Sequence, residues 1–137
     1  MKSVRKGNRI LLVDDETDIT TALKIALEDA GFIVHTYNDP LIALSEFKPD
    51  YYDLAILDVK MQEMNGLELY TNMRKVDNQV RFCFITAGEL YYDKVRKEKQ
   101  EEEKEEPYCK LNTERFLQKP ISNVELLEGI NKVMMQR

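Results

Sequence analysis

The sequence predicts an α/β fold in which helices cover both faces of a five-stranded parallel sheet. Short apolar runs of strand length alternate with segments whose apolar residues recur at helical spacing. Parallel neighbours need crossover connections of this kind, and these crossovers are right-handed. A third observation concerns function. The first apolar run ends at two adjacent carboxylates, Asp14 and Asp15, which need a cation or open water beside them.

The first half of the chain contains three predicted strand–helix units. "RILLVD" is a strand, and the amphipathic helix after it carries an apolar stripe from Ile19 to Ala30 and ends at Gly31. "FIVHTY" is the second strand, and the short helix that follows has Asp39 as its N-cap and Pro40 in its first turn. "DLAILD" and "NGLELYTNMRKV" give the third strand and the third helix.

The second half departs from this regular alternation. "VRFCFIT" is the fourth strand and "GELYYDKVRK" begins a fourth helix, which runs into the charged stretch "KEKQEEEKEE". "RFLQ" is a short fifth strand. The chain closes with a helix whose predicted apolar face consists of Val124, Leu127, Ile130 and Met134. We expect one domain over residues 9–137, with a short basic tail at 1–8 and an unusual charged extension at about 96–110.

Composition excludes several classes of function. The net charge of −5 disfavours direct nucleic-acid binding, which usually requires a basic face. The longest uninterrupted aliphatic run is four residues, so no membrane insertion is expected. Cys83 and Cys109 lack metal-ligand spacing and are predicted to be free thiols in a reducing compartment, which indicates a cytoplasmic protein.

Polar side chains gather at the carboxyl ends of the predicted strands, where a doubly wound sheet binds its ligands. Asp14 and Asp15 follow the first strand, Asp58 ends the third, Thr86 ends the fourth and Lys119 follows the fifth. Taken singly, each has an ordinary explanation, because an acid at a strand end is often a helix N-cap and a lysine beside a proline is often only exposed. Together they predict a site built from three carboxylates, a hydroxyl and an amine.

With these residues in place, the sequence resembles the receiver domains of two-component response regulators. The resemblance runs from about Arg9 to Met135 and rests on four motifs: Asp14-Asp15 in "LLVDDE", Asp58 in "AILDVKM" with Gly66 eight residues later, Thr86-Ala87 in "FITAG", and Lys119-Pro120 in "FLQKP". It implies a flavodoxin-like sheet with strand order 2-1-3-4-5. It also implies a stand-alone, chemotaxis-regulator-like architecture, or a fragment of a longer protein, with no output domain in this chain.

The resemblance further implies a phosphorelay reaction. Asp58 would accept a phosphoryl group from the phosphohistidine of a sensor histidine kinase or a phosphotransfer protein. Asp15, Asp58 and the backbone carbonyl of Lys60 would bind Mg²⁺ directly, and Asp14 would act mainly through metal-bound water. The protein would then be no enzyme in the usual sense, since it catalyses only its own phosphorylation and dephosphorylation.

Further roles follow from the same resemblance. Lys119 and the Thr86 hydroxyl would neutralise charge on the phosphoryl oxygens, and the peptide bond after Lys119 would be cis. Thr86 and Phe116 would form the switch that changes the surface offered to an unknown downstream protein partner. Lys60 and Gly88 would flank the path of the water that removes the phosphoryl group, and so tune dephosphorylation.

Two other functions remain open at this point. One is an interaction module that keeps the fold without being phosphorylated; the complete set of acid, hydroxyl and amine groups argues against it. The other is a metal-dependent phosphatase acting on small molecules. Such enzymes usually carry the nucleophile after the first strand and need a segment that covers the substrate, and the sequence offers no spare segment for this purpose.

Overall fold

A computed structural model describes residues 7–87 and 116–135, and within them five parallel strands form one sheet. The strand order is β2-β1-β3-β4-β5, which confirms the order and the fold predicted from the sequence. The strands are β1 (Arg9–Val13), β2 (Ile33–Tyr37), β3 (Leu54–Asp58), β4 (Arg81–Thr86) and β5 (Phe116–Gln118). The central strands β1 and β3 are almost wholly buried, as their continuous aliphatic sequences require.

Four helices cover the sheet in the described part of the chain. They are α1 (Thr17–Asp29), α2 (Pro40–Glu46), α3 (Gly66–Val76) and α4 (Asn123–Met135). One hydrophobic core lies between the sheet and helices α2 and α3, and a second lies between the opposite face and helices α1 and α4. The helix predicted from "GELYYDKVRK" and the charged extension at about 96–110 lie outside the described residues. None of the helices described combines the length and the apolar character that a membrane span requires.

The predicted helix ends follow from local chemistry. The Asp39 side chain accepts a hydrogen bond of 2.9 Å from the backbone N–H of Leu41, as an N-cap does. Gly31 follows α1 with a φ of 100°, a left-handed conformation that glycine adopts without strain. At α3, Asn65 and Glu68 form a capping box in which each side chain accepts from the other's backbone N–H.

The apolar face predicted for the last helix is wrong in part. Val124 is 64% exposed, whereas Ile130 is buried as predicted and Leu127 and Met134 are partly buried against the core. The prediction missed Leu126, Gly129 and Val133, which are also buried. Gly129 lies directly against Leu117 of β5, where a Cβ atom would lie 2.8 Å from a Leu117 methyl carbon. Apolar residues occur on more than one side of α4, and the lack of a side chain at Gly129 permits this close approach to the sheet.

We predict that Asn65→Ala destabilises the protein by about 1 kcal/mol, because both hydrogen bonds of the capping box at α3 are lost or weakened. Asn72→Ala is the matched control, since Asn72 lies within the same helix, where alanine has the higher helix propensity. Urea unfolding followed by circular dichroism measures both variants. Equal stability of the two would show that the box does not hold the start of α3.

Candidate functional site

The parallel register brings the predicted site residues to one edge of the sheet. Val13 pairs with Leu57, so Asp14 and Asp58 lie side by side at the ends of β1 and β3. On the other side of β3, Asp58 pairs with Ile85, and Thr86 therefore follows next to it. The backbone N–H of Lys119 donates a hydrogen bond of 2.8 Å to the carbonyl of Thr86, which extends the β4–β5 ladder by one step beyond β5.

Three carboxylates converge at this edge. Asp14, Asp15 and Asp58 each place a carboxylate oxygen within 4.8 Å of the others. Asp14 and Asp58 are buried, whereas Asp15 is exposed. Carboxylates this close repel one another, and burial strengthens the repulsion because less water screens it. The cluster therefore has both the oxygen ligands and the excess negative charge that a hard divalent cation prefers.

The Lys119 ammonium group lies against two of these acids, Asp14 and Asp58, and against Glu16. Its Nζ atom is 2.9 Å from Asp14 Oδ2, 3.1 Å from Glu16 Oε1 and 3.4 Å from Asp58 Oδ1. The lysine side chain is 13% exposed and both aspartates are buried, so its ion pairs with Asp14 and Asp58 are poorly screened by solvent. The Lys119-Pro120 peptide bond is cis, as the resemblance implied. Lys119 thus supplies the positive charge that makes two buried carboxylates tolerable.

The pKa values of the buried groups reflect this balance. Burial raises the pKa of Asp58 to about 7; the charge of Asp14 adds to the rise and Lys119 opposes it. Burial also raises the pKa of Asp14, although its hydrogen bond with Lys119 works against the rise. Burial lowers the pKa of Lys119, but the hydrogen bond to Asp14 and the charge of Asp58 outweigh burial, and the net pKa is raised. Lys119 therefore stays charged, and its single positive charge is shared by the two buried carboxylates of Asp14 and Asp58.

Hydrogen bonds to its backbone and side chain hold Asp14 in place. Its Oδ1 atom accepts a hydrogen bond of 2.9 Å from the N–H of Glu16. Its backbone carbonyl accepts a hydrogen bond of 2.7 Å from the Asn38 side-chain amide. The backbone N–H of Asp14 donates a hydrogen bond of 3.1 Å to the carbonyl of Tyr37 at the end of β2. Because β1 is tied to β2 just beyond its last residue, the Asp14 carboxylate is fixed relative to the sheet.

The glycine of the second motif has a steric role. Gly66 is the first residue of α3, and its backbone N–H donates a hydrogen bond of 2.8 Å to the Val59 carbonyl. The start of α3 therefore lies against the backbone just after β3. A Cβ atom at Gly66 would lie 2.9 Å from the carbonyl carbon of Asp58 and closer still to its oxygen. Only glycine permits this approach without moving the backbone that carries Asp58.

Thr86 and Phe116 lie on the same face of the sheet. Phe116 pairs with Phe84 in the β4–β5 register, and their rings stack with centroids 5.2 Å apart. Thr86 is two residues after Phe84 and is buried, and its hydroxyl has no hydrogen-bond partner within residues 7–87 and 116–135. Burying a hydroxyl without a hydrogen-bond partner costs free energy of folding. A ligand bound at this edge could therefore accept a hydrogen bond from the Thr86 hydroxyl.

The remaining predicted residues are not brought into the cluster by any described contact. Lys60 is exposed just after β3, and Gly88 lies outside the described residues. The sequence did not indicate Glu16, which reaches Lys119, or Asn38, which holds Asp14. For Glu16 the sequence does contain one signal, because glutamate is an uncommon N-cap residue.

Comparison with known proteins agrees with this geometry. The family described as "Response regulator receiver domain" matches residues 10–131. The chain belongs to this family. Receiver domains are signalling modules of phosphorelays.

Relatives and solved structures support the assignment. A transcriptional regulatory protein of Haemophilus influenzae, a CpxR homologue, is 33% identical over 127 residues, which are 93% of this chain and 50% of that protein. The receiver domain therefore spans about half the length of the curated relative it matches. The non-phosphorylated HemR receiver domain from Leptospira biflexa is 26% identical with a TM-score of 0.72, covering 95% of this chain and 96% of that one.

A third similar protein was solved with a ligand. The response regulator TrrA from Thermotoga maritima, in complex with Mg²⁺-BeF, is 27% identical with a TM-score of 0.68. The comparison covers 92% of this chain and 98% of that one. The receiver fold thus extends over both described parts of the chain.

We predict that the metal-free receiver domain becomes more stable as pH falls. The pKa of Asp58 is about 7 in the folded state, whereas an aspartate in an unfolded chain has an ordinary pKa of 3.8, so the folded state binds more protons between these limits. The free energy of unfolding should therefore rise by roughly 2–4 kcal/mol as pH falls from about 7.5 to 4.5. Denaturant titrations with a chelator present measure it.

Asp58→Asn is the matched variant for this prediction. It should be more stable than the wild type at pH 7.5 and should lose most of the pH dependence, because the amide does not titrate. Saturating Mg²⁺ should flatten the wild-type profile as well, since a bound cation keeps the carboxylates charged. An unchanged pH slope in the metal-free variant would contradict the assignment to Asp58.

Proposed function

We propose that this receiver domain accepts a phosphoryl group on Asp58 from a phosphohistidine donor, in a Mg²⁺-dependent reaction, and thereby changes the surface it offers to a partner. The observation that carries the proposal is the placement of the Asp58 carboxylate. It ends the central strand, lies 3.4 Å from Lys119 and shares an edge with Asp14 and Asp15. A nucleophile next to fixed positive charge suits phosphoryl transfer.

The residues present fit a magnesium ion. Asp14, Asp15 and Asp58 offer oxygen ligands within reach of one another, and Lys119 is the one cation that the described contacts place against them. We propose that these three residues and the backbone carbonyl of Lys60 hold the ion, with Asp14 acting mainly through water. When bound, Mg²⁺ would neutralise charge on the phosphoryl oxygens.

The chain's own residues would carry the transfer itself. A carboxylate oxygen of Asp58 attacks phosphorus and forms a new P–O bond, while the bond from phosphorus to the donor's imidazole nitrogen breaks and its electron pair stays with the donor. Lys119 donates to one phosphoryl oxygen. The Thr86 hydroxyl, which has no hydrogen-bond partner among residues 7–87 and 116–135, donates to another. None of these groups acts as a general acid or base.

The Thr86 hydroxyl would also transmit the effect of phosphorylation to the surface of the domain. If Thr86 moves towards the phosphoryl group, it leaves space on the face of the sheet where Phe116 stacks on Phe84. Phe116 is half-buried and its register partner Phe84 lies two residues before Thr86, so it is placed to turn into that space. A phenylalanine carries no hydroxyl, and the signal would therefore be steric.

Several further assignments belong to the proposal. Lys60 and Gly88 would tune the dephosphorylation rate by flanking the path of attacking water. Residues 9–137 would form the receiver domain, with a basic tail at 1–8 and a charged extension at about 96–110. The donor would be a sensor histidine kinase or phosphotransfer protein in the cytoplasm. The downstream partner would be a protein, and this chain would act on no substrate other than its own phosphoryl group.

We predict that Asp58 is the sole phosphoacceptor. Incubation with acetyl phosphate and Mg²⁺ should add one phosphoryl mass to the wild-type protein in intact mass spectrometry, and Asp58→Asn should add none because an amide is a poor nucleophile. Asp53→Asn is unsuitable as a control, because the Asp53 carboxylate accepts hydrogen bonds from two backbone N–H groups and its loss would disturb the fold. Asp18→Asn, at an exposed acid of α1, is the control and should be labelled like the wild type.

Two results would contradict this assignment. Labelling of Asp58→Asn at the wild-type rate would place the acceptor elsewhere. A wild-type protein that is folded, binds Mg²⁺ and yet gains no phosphoryl group would instead be an interaction module that keeps the receiver fold without phosphorylation. Steady release of phosphate from small esters, with no labelled protein, would support a phosphatase.

We predict that Mg²⁺ raises the melting temperature of the receiver domain and that Asp15→Asn removes most of this shift. Ligand binding to the folded state alone stabilises by about 2.7 kcal/mol at a concentration roughly 100 times the dissociation constant. Asp15 is the exposed acid of the three, so its oxygens are the most accessible to an ion. Scanning calorimetry with and without Mg²⁺ measures the shift, and Asp18→Asn controls for charge. A full shift in Asp15→Asn would exclude that residue from the metal site.

A further inference from the structure

Glu16 begins α1 but does not cap it. As the N-cap residue it has an extended backbone, with φ of −100° and ψ of 112°, and its side chain makes no hydrogen bond to the N–H groups of the first turn. N-cap positions favour short side chains, whose oxygen can reach those N–H groups. The glutamate side chain instead extends away from its own helix and reaches Lys119, 103 residues later in the chain, at 3.1 Å.

The three carboxylates around Lys119 are not equivalent. An ammonium group has three N–H donors, and Asp14, Glu16 and Asp58 lie at 2.9, 3.1 and 3.4 Å from the Nζ atom. The side chain of Asp14 is fully buried and that of Asp58 is 2% exposed, whereas the side chain of Glu16 is 62% exposed. Glu16 can therefore return to water at little cost, while either aspartate would be left as an unpaired buried charge.

We propose that Glu16 is a positioning residue that holds Lys119 in the unphosphorylated receiver domain and releases it to the incoming phosphoryl group. This inference rests on the proposed phosphorylation of Asp58. Among the described residues the Lys119 ammonium group donates its hydrogen bond to Glu16, whereas Asp14 and Asp58 lie against it as ion pairs. The donor held by Glu16 must be freed before it can serve a phosphoryl oxygen. The exposed Glu16 contact is the one that exchanges, because the phosphoryl group brings its own negative charge to the lysine.

The inference separates two rates. Glu16 stabilises the unphosphorylated state but makes no contact with Lys119 once the phosphoryl group has replaced it. Loss of the Glu16 charge should therefore speed phosphoryl acceptance and leave the decay of the phosphorylated state unchanged. An exposed ion pair shifts an equilibrium about two- to fivefold, so acceptance should accelerate by about this factor.

The experiment compares Glu16→Gln with the wild type and with Asp18→Asn. Asp18 is an exposed acid in the first turn of the same helix, so its variant removes the same charge from nearly the same place. The rate of acceptance is measured by intact mass spectrometry with acetyl phosphate, at Mg²⁺ concentrations that saturate each variant. The decay rate is measured after removal of the donor.

The expected result is specific to the contact. Glu16→Gln should accept about two- to fivefold faster with an unchanged decay rate, and the advantage should shrink as salt rises. Asp18→Asn should behave like the wild type. Glu16→Asp, one methylene shorter, should fall between the wild type and Glu16→Gln.

Other outcomes would overturn the inference. Slower acceptance in Glu16→Gln would mean that Glu16 assists transfer rather than competing with it. An equal gain in Asp18→Asn would show a general effect of charge on the anionic donor. Parallel changes in acceptance and decay would show that Glu16 acts on the phosphorylated state. Failure of the proposed function itself would look different, because the wild type would gain no phosphoryl mass.

Discussion

The ion pair between Lys119 and the buried carboxylates of Asp14 and Asp58 is the interaction on which the rest of the site depends. Two acids beside each other at the ends of β1 and β3 are tolerated because the ammonium group lies 2.9 Å from one and 3.4 Å from the other. One positive charge does not balance two negative ones, and burial together with the charge of Asp14 raises the pKa of Asp58 despite Lys119. The fold therefore maintains an edge that favours additional positive charge.

Sheet topology makes this arrangement possible. Asp14, Asp58, Thr86 and Lys119 lie at or just after the ends of four different strands, and they meet because parallel strands end at the same edge. Their neighbours then leave little freedom, since Gly66 packs against the backbone of Asp58 and the Lys119 N–H is bonded to Thr86. Most of the site is thus fixed by backbone pairing, and the groups that remain adjustable are side chains at its outer rim.

The sequence predicted the five strands, their parallel arrangement and the residues at their ends, because apolar runs of strand length and strong caps such as Asp39 are local signals. The strand order came from the resemblance to receiver domains. The sequence could not predict contacts that depend on distant packing. Gly129 of α4 lies directly against Leu117, and nothing near Gly129 in the sequence indicates that approach. The contact of Glu16 could not be predicted for the same reason, since its partner lies 103 residues away.

The departures from local preference coincide with the proposed chemistry. The buried acids, the Thr86 hydroxyl, which lacks a partner in the part of the chain that the structure describes, and the start of α1 without a side-chain cap at Glu16 each cost stability on their own. A phosphoryl group on Asp58 with a bound cation would relieve the first two costs together, since it supplies an acceptor for Thr86 and the cation supplies positive charge. In the unphosphorylated state Lys119 contacts three carboxylates, and the contact with Glu16 is the most exposed of the three. Its exchange is therefore the step at which we propose that control acts.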